Sequence, residues 1–319
     1  MAKRKHTADA AISTASAKRK HTDAAISTAS PNTQPLPPFL ACVPSRFHPA
    51  VDQDFVIHPE EQTVADFVDM GQREPNEEGT GRWLYNEKRR RIRILTLGRA
   101  SKSVSKLVTF LEAFFCGRFT FAVDNSAPRP PVTKKSYRTW NKAVEIWSIL
   151  DELIPLVSNT DFGVLALTDW PLCEDYSDNG DGSDAIEVLG RACGDRVCVV
   201  SSSVPSIFEL CCMTVHEILH LCGFDHTTSV QCLMNPSPYE PLLAGTVFLA
   251  PFNIWKLCIL FNVVEPESAE EFVIKHYENM LEVWDFCFDS SGTTEESDAR
   301  KWLVRRLKWK QGSSKKKSG

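Results

Sequence analysis

Eleven consecutive residues limit this chain more than any other stretch: His216-Glu217-Ile218-Leu219-His220-Leu221-Cys222-Gly223-Phe224-Asp225-His226. Read as H-E-x-x-H-x-x-G-x-x-H, the string asks for a helix that stops inside it. Histidines four apart on a helix share one face, with Cβ atoms about 5–6 Å apart. Both can then reach one zinc ion at about 2.0–2.1 Å. His226 cannot join them on a continuing helix, because ten residues of rise would carry it roughly 15 Å up the axis and onto another face. The helix must therefore break after His220, and Gly223 can take the positive φ that such a break needs. Glu217, next to the first ligand, can act as general base toward a water at the metal. The spacing thus predicts a catalytic zinc held by His216, His220 and His226.

The same helix opens on a capping box, with Ser206 at the cap and Glu209 three residues on. Behind it Phe208, Leu210, Met213, Val215, Ile218 and Leu219 make the segment apolar nearly all round, the pattern of a central buried helix. Cys211, Cys212 and Cys222 read as packing residues there. Upstream, 62–68 is a short helix candidate, and Arg91–Leu97 alternates as a strand does. Residues 101–115 have helical spacing and 118–123 read as a second strand, a β-α-β opening. The spacing of Trp140, Val144, Trp147, Leu150 and Ile154 predicts a helix over 137–154, stopped by Pro155. Residues 162–167 and Val197–Ser201 read as apolar strands, the latter just ahead of the zinc helix. Between them, 169–184 is polar, acidic and Gly-rich, a solvated loop without EF-hand spacing. The stretch 242–264 is long enough to raise a membrane span, but Pro251, Asn253, Lys256 and Asn262 interrupt it. Two buried segments about a turn at Pro251 are expected instead, then a last helix over 265–288. The fold class is α/β (α+β), a mixed sheet around a central zinc-binding helix.

The 319 residues, 43% hydrophobic, suit one globular domain with tails. Residues 1–50 are expected to be a disordered basic repeat and Pro-rich linker, 51–290 a catalytic domain, and 291–319 a basic tail. The repeat is tandem: Lys3-Arg4-Lys5-His6-Thr7 returns as Lys18-Arg19-Lys20-His21-Thr22. Its basic clusters fit nuclear-import signals and a solvated basic arm equally well. Residues 301–310, with Trp302, Leu303, Leu307 and Trp309, and then Lys315-Lys316-Lys317, read as a frayed tail. Residues 1–30 carry +4 and 300–319 carry +9, so the total of −5 leaves −18 on the body between them. An acidic body disfavours nucleic acid as substrate and favours peptides with a positive end. Nucleic acid or an import receptor could meet the basic tails alone. The start lacks the apolar core of a secretory signal. Eleven cysteines, an odd number, point to a reducing compartment. The chain is therefore expected in the cytoplasm, the nucleus or both, and not secreted.

The zinc helix and its sequel resemble the archaemetzincins, intracellular metzincins whose pattern runs H-E-x-x-H-x-x-G-x-x-H-C, then C-x-M, then C-x-x-C. Cys232-Leu233-Met234 stands at the family spacing, which makes Met234 the residue of the Met-turn beneath the metal. Val164-Leu165-Ala166-Leu167-Thr168-Asp169 resembles the family's strand and Thr-Asp turn. Leu189-Gly190-Arg191-Ala192 and Val197–Ser201 resemble its glycine turn and edge strand. The likeness spans about residues 90–290. It implies a metzincin-like zincin fold with a Met-turn lobe, and a zinc-dependent metallopeptidase with aminopeptidase-like cleavage of small peptides. It also implies that Val197–Ser201 is the sheet edge on which an extended peptide pairs.

The departures concern a second metal. The family's four cysteines hold a structural zinc, but here Thr227 stands at the first position and Ala250 and Asn253 near the last two. Cys232 survives as a residual ligand, and one thiolate cannot hold a tetrahedral structural zinc. One zinc per chain is expected, with the lobe held by apolar packing of Leu249, Phe252 and Trp255. Two alternatives remain at this level. One is a catalytically inactive zinc-containing peptide-binding protein, suggested by the lost cysteines. The other is a matrixin-like metzincin, suggested by Thr227 and Met234-Asn235-Pro236 but lacking that family's secretory signal and calcium features. Tyr239 is the one candidate oxyanion donor.

Overall fold

The structure, a computed structural model, describes residues 61–71, 85–98, 104–124, 138–140, 142–177, 180, 182–194, 196–204, 206–227, 232–236, 247–288 and 294–317. The basic repeat, the linker and Tyr239 lie outside the described residues.

The spine is β5 (Asp161–Thr168), buried along its whole length. It pairs in parallel with β1 (Arg91–Leu97) on one side and β9 (Val197–Ser201) on the other. Beyond β1 lies β2 (Thr120–Val123), also parallel, and beyond β9 lies β8 (Gly190–Cys193), antiparallel. The sheet order is β2-β1-β5-β9-β8. The near-continuous apolar run of β5 suits a strand covered on both faces, and its period of two divides the core. Leu165, Leu167, Cys198 and Val200 join one cluster; Val164, Ala166, Val197 and Val199 join the other.

The first cluster is covered by α2 (Val104–Phe114), α4 (Ile207–Leu221) and α6 (Pro266–Cys287). His276 on α6 is buried, with Nδ1 2.6 Å from Phe114 O. The second is covered by α3 (Ile146–Leu153) and a second, four-stranded sheet. That sheet runs β3 (Thr139–Trp140), β4 (Ala143–Glu145), β6 (Leu172–Asp175), β7 (Ala185–Val188). Outside these layers stand α1 (Val64–Gly71), α5 (Pro251–Leu260) and α7 (Thr294–Lys317).

Four expectations change. The helix expected over 137–154 begins only at Ile146. Glu145 caps it, accepting from Trp147 N–H at 3.1 Å and Ser148 N–H at 2.9 Å, while the residues before it pair as strands. Within the expected loop 169–184, Leu172–Asp175 form β6, and Asp175 organises the following turn by accepting from the N–H groups of Ser177 and Gly182. Val197–Ser201 is not the sheet edge: β8 lies outside it, because the chain folds back as a hairpin. The 301–310 segment, expected as a frayed tail, lies in α7. There Ala299 and Leu303 are buried and Trp302 stacks on Phe248 at 3.8 Å.

Val247, Phe248, Leu249 and Ala250 are buried, and Pro251 begins α5 at its first turn, so the bend expected at Pro251 is a helix start. Among the described residues, no helix is long and apolar enough to cross a membrane.

Candidate metal centre

The Ser206 capping box is formed: Glu209 N–H donates to Ser206 Oγ at 3.1 Å, and Ser206 N–H to Glu209 Oε2 at 3.2 Å. From that start α4 runs beneath β8 and β9 and carries His216 and Glu217 into the interior. It ends at Cys222, where Gly223 takes φ +86° and turns the chain back. The break falls two residues beyond His220. Phe224 N–H donates to Leu219 O at 3.1 Å, and the reversed chain brings His226 beside the two helical histidines.

Their ring nitrogens converge. His220 Nε2 lies 3.0 Å from His216 Nε2 and 3.2 Å from His226 Nε2, and one ligand atom from each of the three lies within 4.8 Å of the others. Tetrahedral zinc at about 2.0–2.1 Å from each nitrogen would set neighbouring nitrogens about 3.3 Å apart. The far side of each helical ring is anchored on the main chain. His216 Nδ1 lies 2.7 Å from Leu233 O, and His220 Nδ1 lies 2.7 Å from Phe224 O. A carbonyl only accepts, so both Nδ1 atoms carry the proton and both Nε2 lone pairs face inward. Burial holds His216 and His220 below the ordinary histidine range, His220 well below it, with the neighbouring histidines adding to that. Neutral imidazole is the metal-binding form.

Met234 is fully buried in the turn whose Leu233 carbonyl orients His216. The sequence named neither carbonyl partner, because any residue type supplies a backbone oxygen.

Glu217 lies against β8. Its carboxylate accepts from Ala192 N–H, and Oε2 is buried with no hydrogen-bond partner in the protein. A Cβ on Gly190 would stand 3.0 Å from Glu217 Cγ and 3.2 Å from its Oε1, so a glycine gives the carboxylate its room. Burial raises the Glu217 carboxyl to about 8; Glu174 adds to this, while Arg191 and the Ala192 N–H oppose it. Arg191 Nη2 lies 3.0 Å from Glu174 Oε1 and its guanidinium lies over the Trp147 ring at 5.7 Å. Glu174 also accepts from Trp147 Nε1 at 3.1 Å and Tyr176 Oη at 2.7 Å. This wall escaped the sequence reading, since Glu174 belonged to a segment expected to be loop. Burial holds His226 down as well, at about 4, so three neutral imidazoles stand beside a buried carboxylate oxygen without a partner, a donor set that fits zinc.

The positions matched to a second metal also come together, but as hydrogen-bonding groups. Asn253 Nδ2 donates to Thr227 Oγ1 at 2.9 Å and lies 4.0 Å from Cys232 Sγ, while the Ala250 backbone also contacts that sulfur. Thr227 N–H donates to Met234 O at 2.7 Å, Asn235 Nδ2 donates to Thr227 O, and Cys232 N–H donates to Asn235 Oδ1 at 2.6 Å. The turn expected to rest on apolar packing is therefore tied by polar groups as well. Leu249 is buried, and Phe252 and Trp255 pack at the margin of the core.

No family model matches the chain, and no characterised protein matches it in sequence. Solved structures similar to it include the following two. One is an archaemetzincin from Methanopyrus kandleri, at 17% identity and a TM-score of 0.39, covering 59% of this chain and 96% of its own. The other is a zinc-dependent peptidase from Methanocorpusculum labreanum, at 16% identity and a TM-score of 0.40, covering 54% of this chain and 100% of its own.

Proposed function

We propose that this chain is a zinc-dependent metallopeptidase. The observation that carries the reading is the convergence of three Nε2 atoms, two with lone pairs turned inward by backbone carbonyls, with the Glu217 carboxylate on the same helix as those two. His216, His220 and His226 would hold the ion, which when bound supplies Lewis acidity to a water and to a substrate carbonyl. Glu217 takes the proton from the attacking water and passes it to the leaving amine. The Ala192 N–H and the nearby Arg191 charge favour its ionised form against burial. The outer edge of β8, the edge strand against which Glu217 lies, gives an extended peptide a strand to pair with, which supports a peptide substrate.

Aminopeptidase-like cleavage and a single zinc per chain belong to this proposal too. The single zinc is supported by the polar cluster around Cys232. A reducing compartment, cytoplasmic or nuclear, is supported by the ten described cysteines, none of which is paired in a disulfide.

The test is a full-length preparation assayed for metal by mass spectrometry and for turnover on a peptide library, beside Glu217→Ala. The variant should keep its zinc and lose several orders of magnitude in rate. Less than half an equivalent of zinc in folded wild-type protein would sink the metal reading. Equal peptide binding by both proteins with cleavage by neither would favour the inactive binding protein.

A further inference from the structure

The loop from Gly223 to His226 decides whether three histidines can meet, and the bonds from α4 reach only its first half, at Gly223 and Phe224. A second grip comes from the other end of the fold. Gln62 Nε2 donates to Gly223 O at 2.9 Å, across a separation of 161 residues. The Asp225 N–H donates to Gln62 Oε1 at 3.3 Å. Between those contacts, Phe67 of α1 meets the Phe224 ring edge-on, with centroids 4.9 Å apart. Gln62 is fixed in turn by Lys256 of α5, whose Nζ donates to Gln62 O and to Gln62 Oε1, both at 2.9 Å. Lys256 Nζ also lies over the rings of Phe67 and Phe252, at 5.9 and 5.5 Å.

Both polar side chains are buried, Lys256 at 1% exposure and Gln62 at 6%. Burying an ammonium group is costly unless its donors are satisfied. Here those donors converge on a single residue. The Gln62 amide can satisfy Gly223 O, Asp225 N–H and Lys256 together only in one orientation, with nitrogen toward the glycine carbonyl. That orientation sets both ends of the loop. Phe224 O, between them, orients His220 through Nδ1, and Asp225 immediately precedes His226.

On the reading of the three histidines as a zinc centre, we infer that Gln62, locked by Lys256, is a positioning clamp that sets the tightness and geometry of metal binding through His220 and His226. It touches neither metal nor substrate. Groups that orient metal-binding histidines typically account for about 10–100-fold in metal affinity.

The test uses the full-length protein and four variants: Gln62→Met, Lys256→Met, Gln62→Glu, and Ile149→Ala as a control in the core on the opposite face of the sheet. Zinc release to a competing chelator and the visible spectrum of the cobalt-substituted proteins are measured, with thermal stability alongside. Gln62→Met and Lys256→Met should release zinc at least about tenfold faster and shift the cobalt bands. Gln62→Glu keeps the acceptor for Lys256 but sets an oxygen against Gly223 O, and should fall between. This variant decides the matter if the methionine variants do not fold. Ile149→Ala should lose stability with release and spectrum unchanged. Release and spectra of the folded clamp variants equal to those of wild type, or no further from it than those of Ile149→Ala, would overturn the clamp. A wild-type chain that takes up neither zinc nor cobalt is a different result, and overturns the metal reading itself.

Discussion

Gly190→Ala is the smallest change that should disturb the proposed base without touching a ligand. The added methyl would stand 3.0 Å from Glu217 Cγ, 3.0 Å from Val199 O and 3.2 Å from Glu217 Oε1. Ordinary contacts begin near 3.4 Å, so each neighbour must yield by a few tenths of an ångström. Val199 O cannot yield freely, because β9 is paired on both sides. The Glu217 side chain must therefore move. Overpacking of this kind costs about 1–3 kcal/mol. At roughly 2–4 °C per kcal/mol for a domain of this size, melting should fall by a few degrees or more. A carboxylate displaced by up to about 1 Å loses up to about 100-fold in rate. Gly190 does not have a left-handed φ, so the effect is steric. Zinc content by mass spectrometry, melting by calorimetry and peptide turnover together separate these effects. Expected are full zinc, a lower melting temperature and turnover down about 10–100-fold. On a Glu217→Ala background, where two of the three close contacts vanish, the stability loss should shrink. A Gly190→Ala protein with wild-type melting and turnover would refute the placement of Glu217 against β8.

Four further outcomes follow from other contacts. His276 is buried and held down at about 4 by burial, below its usual 6.5. Unfolding therefore takes up a proton as pH falls from 6.5 toward 4, and roughly 3 kcal/mol of stability should be lost over that window. Urea titrations of wild type against His276→Leu check this; parallel pH profiles would contradict it. Glu217, held up at about 8 by burial, has the opposite sign. Its own contribution to the metal-free protein should fall by roughly 3–5 kcal/mol as pH rises from about 4.5 to 8, read as the difference between wild type and Glu217→Gln in the same titration, because the depressed histidines add a slope of the opposite sign. Thr227→Ala strips Asn253 of a buried hydrogen bond and should cost about 1–3 kcal/mol by chemical denaturation; a cost near zero would show that the cluster does not brace the turn. Metal analysis after dialysis should give one zinc in wild type and in Cys232→Ser, and two once Thr227→Cys, Ala250→Cys and Asn253→Cys surround Cys232 with sulfur. A native ratio near two that falls to one in Cys232→Ser would reveal a thiol site among other cysteines.

What the sequence made legible was local. The histidine spacing, the break at Gly223 and the Ser206 cap are all written within about twenty residues, and each appears in the fold. Arg91–Leu97 was legible because alternation fits only a strand. Over 137–154 the apolar spacing fitted a helix, but it is also compatible with two short strands and a two-turn helix capped by Glu145, and pairing with β6 decided between them. The groups that align the site were hidden for a different reason. Leu233 O and Phe224 O are backbone atoms, while Glu174 and Arg191 meet only after separate segments fold together.

The central position of β5 also governs how this protein can be made. Its Asp161 binds Arg91 across 70 residues of chain, and α6 reaches Phe114 of α2 across 162. At roughly 5–20 residues per second, a growing chain carries β1 for about 4–14 s before β5 arrives, and α2 for about 8–32 s before α6 can cover it. Through that interval the Ile92 and Ile94 face and the Phe110 and Phe114 side lack their final cover, although both are wholly buried in the finished fold. Distant parallel pairing is intrinsically slow and exposes sticky intermediates. Supplying a holdase during synthesis should therefore raise soluble yield more than adding zinc does, because the metal loop is complete in the chain before the helix that covers α2 has been made.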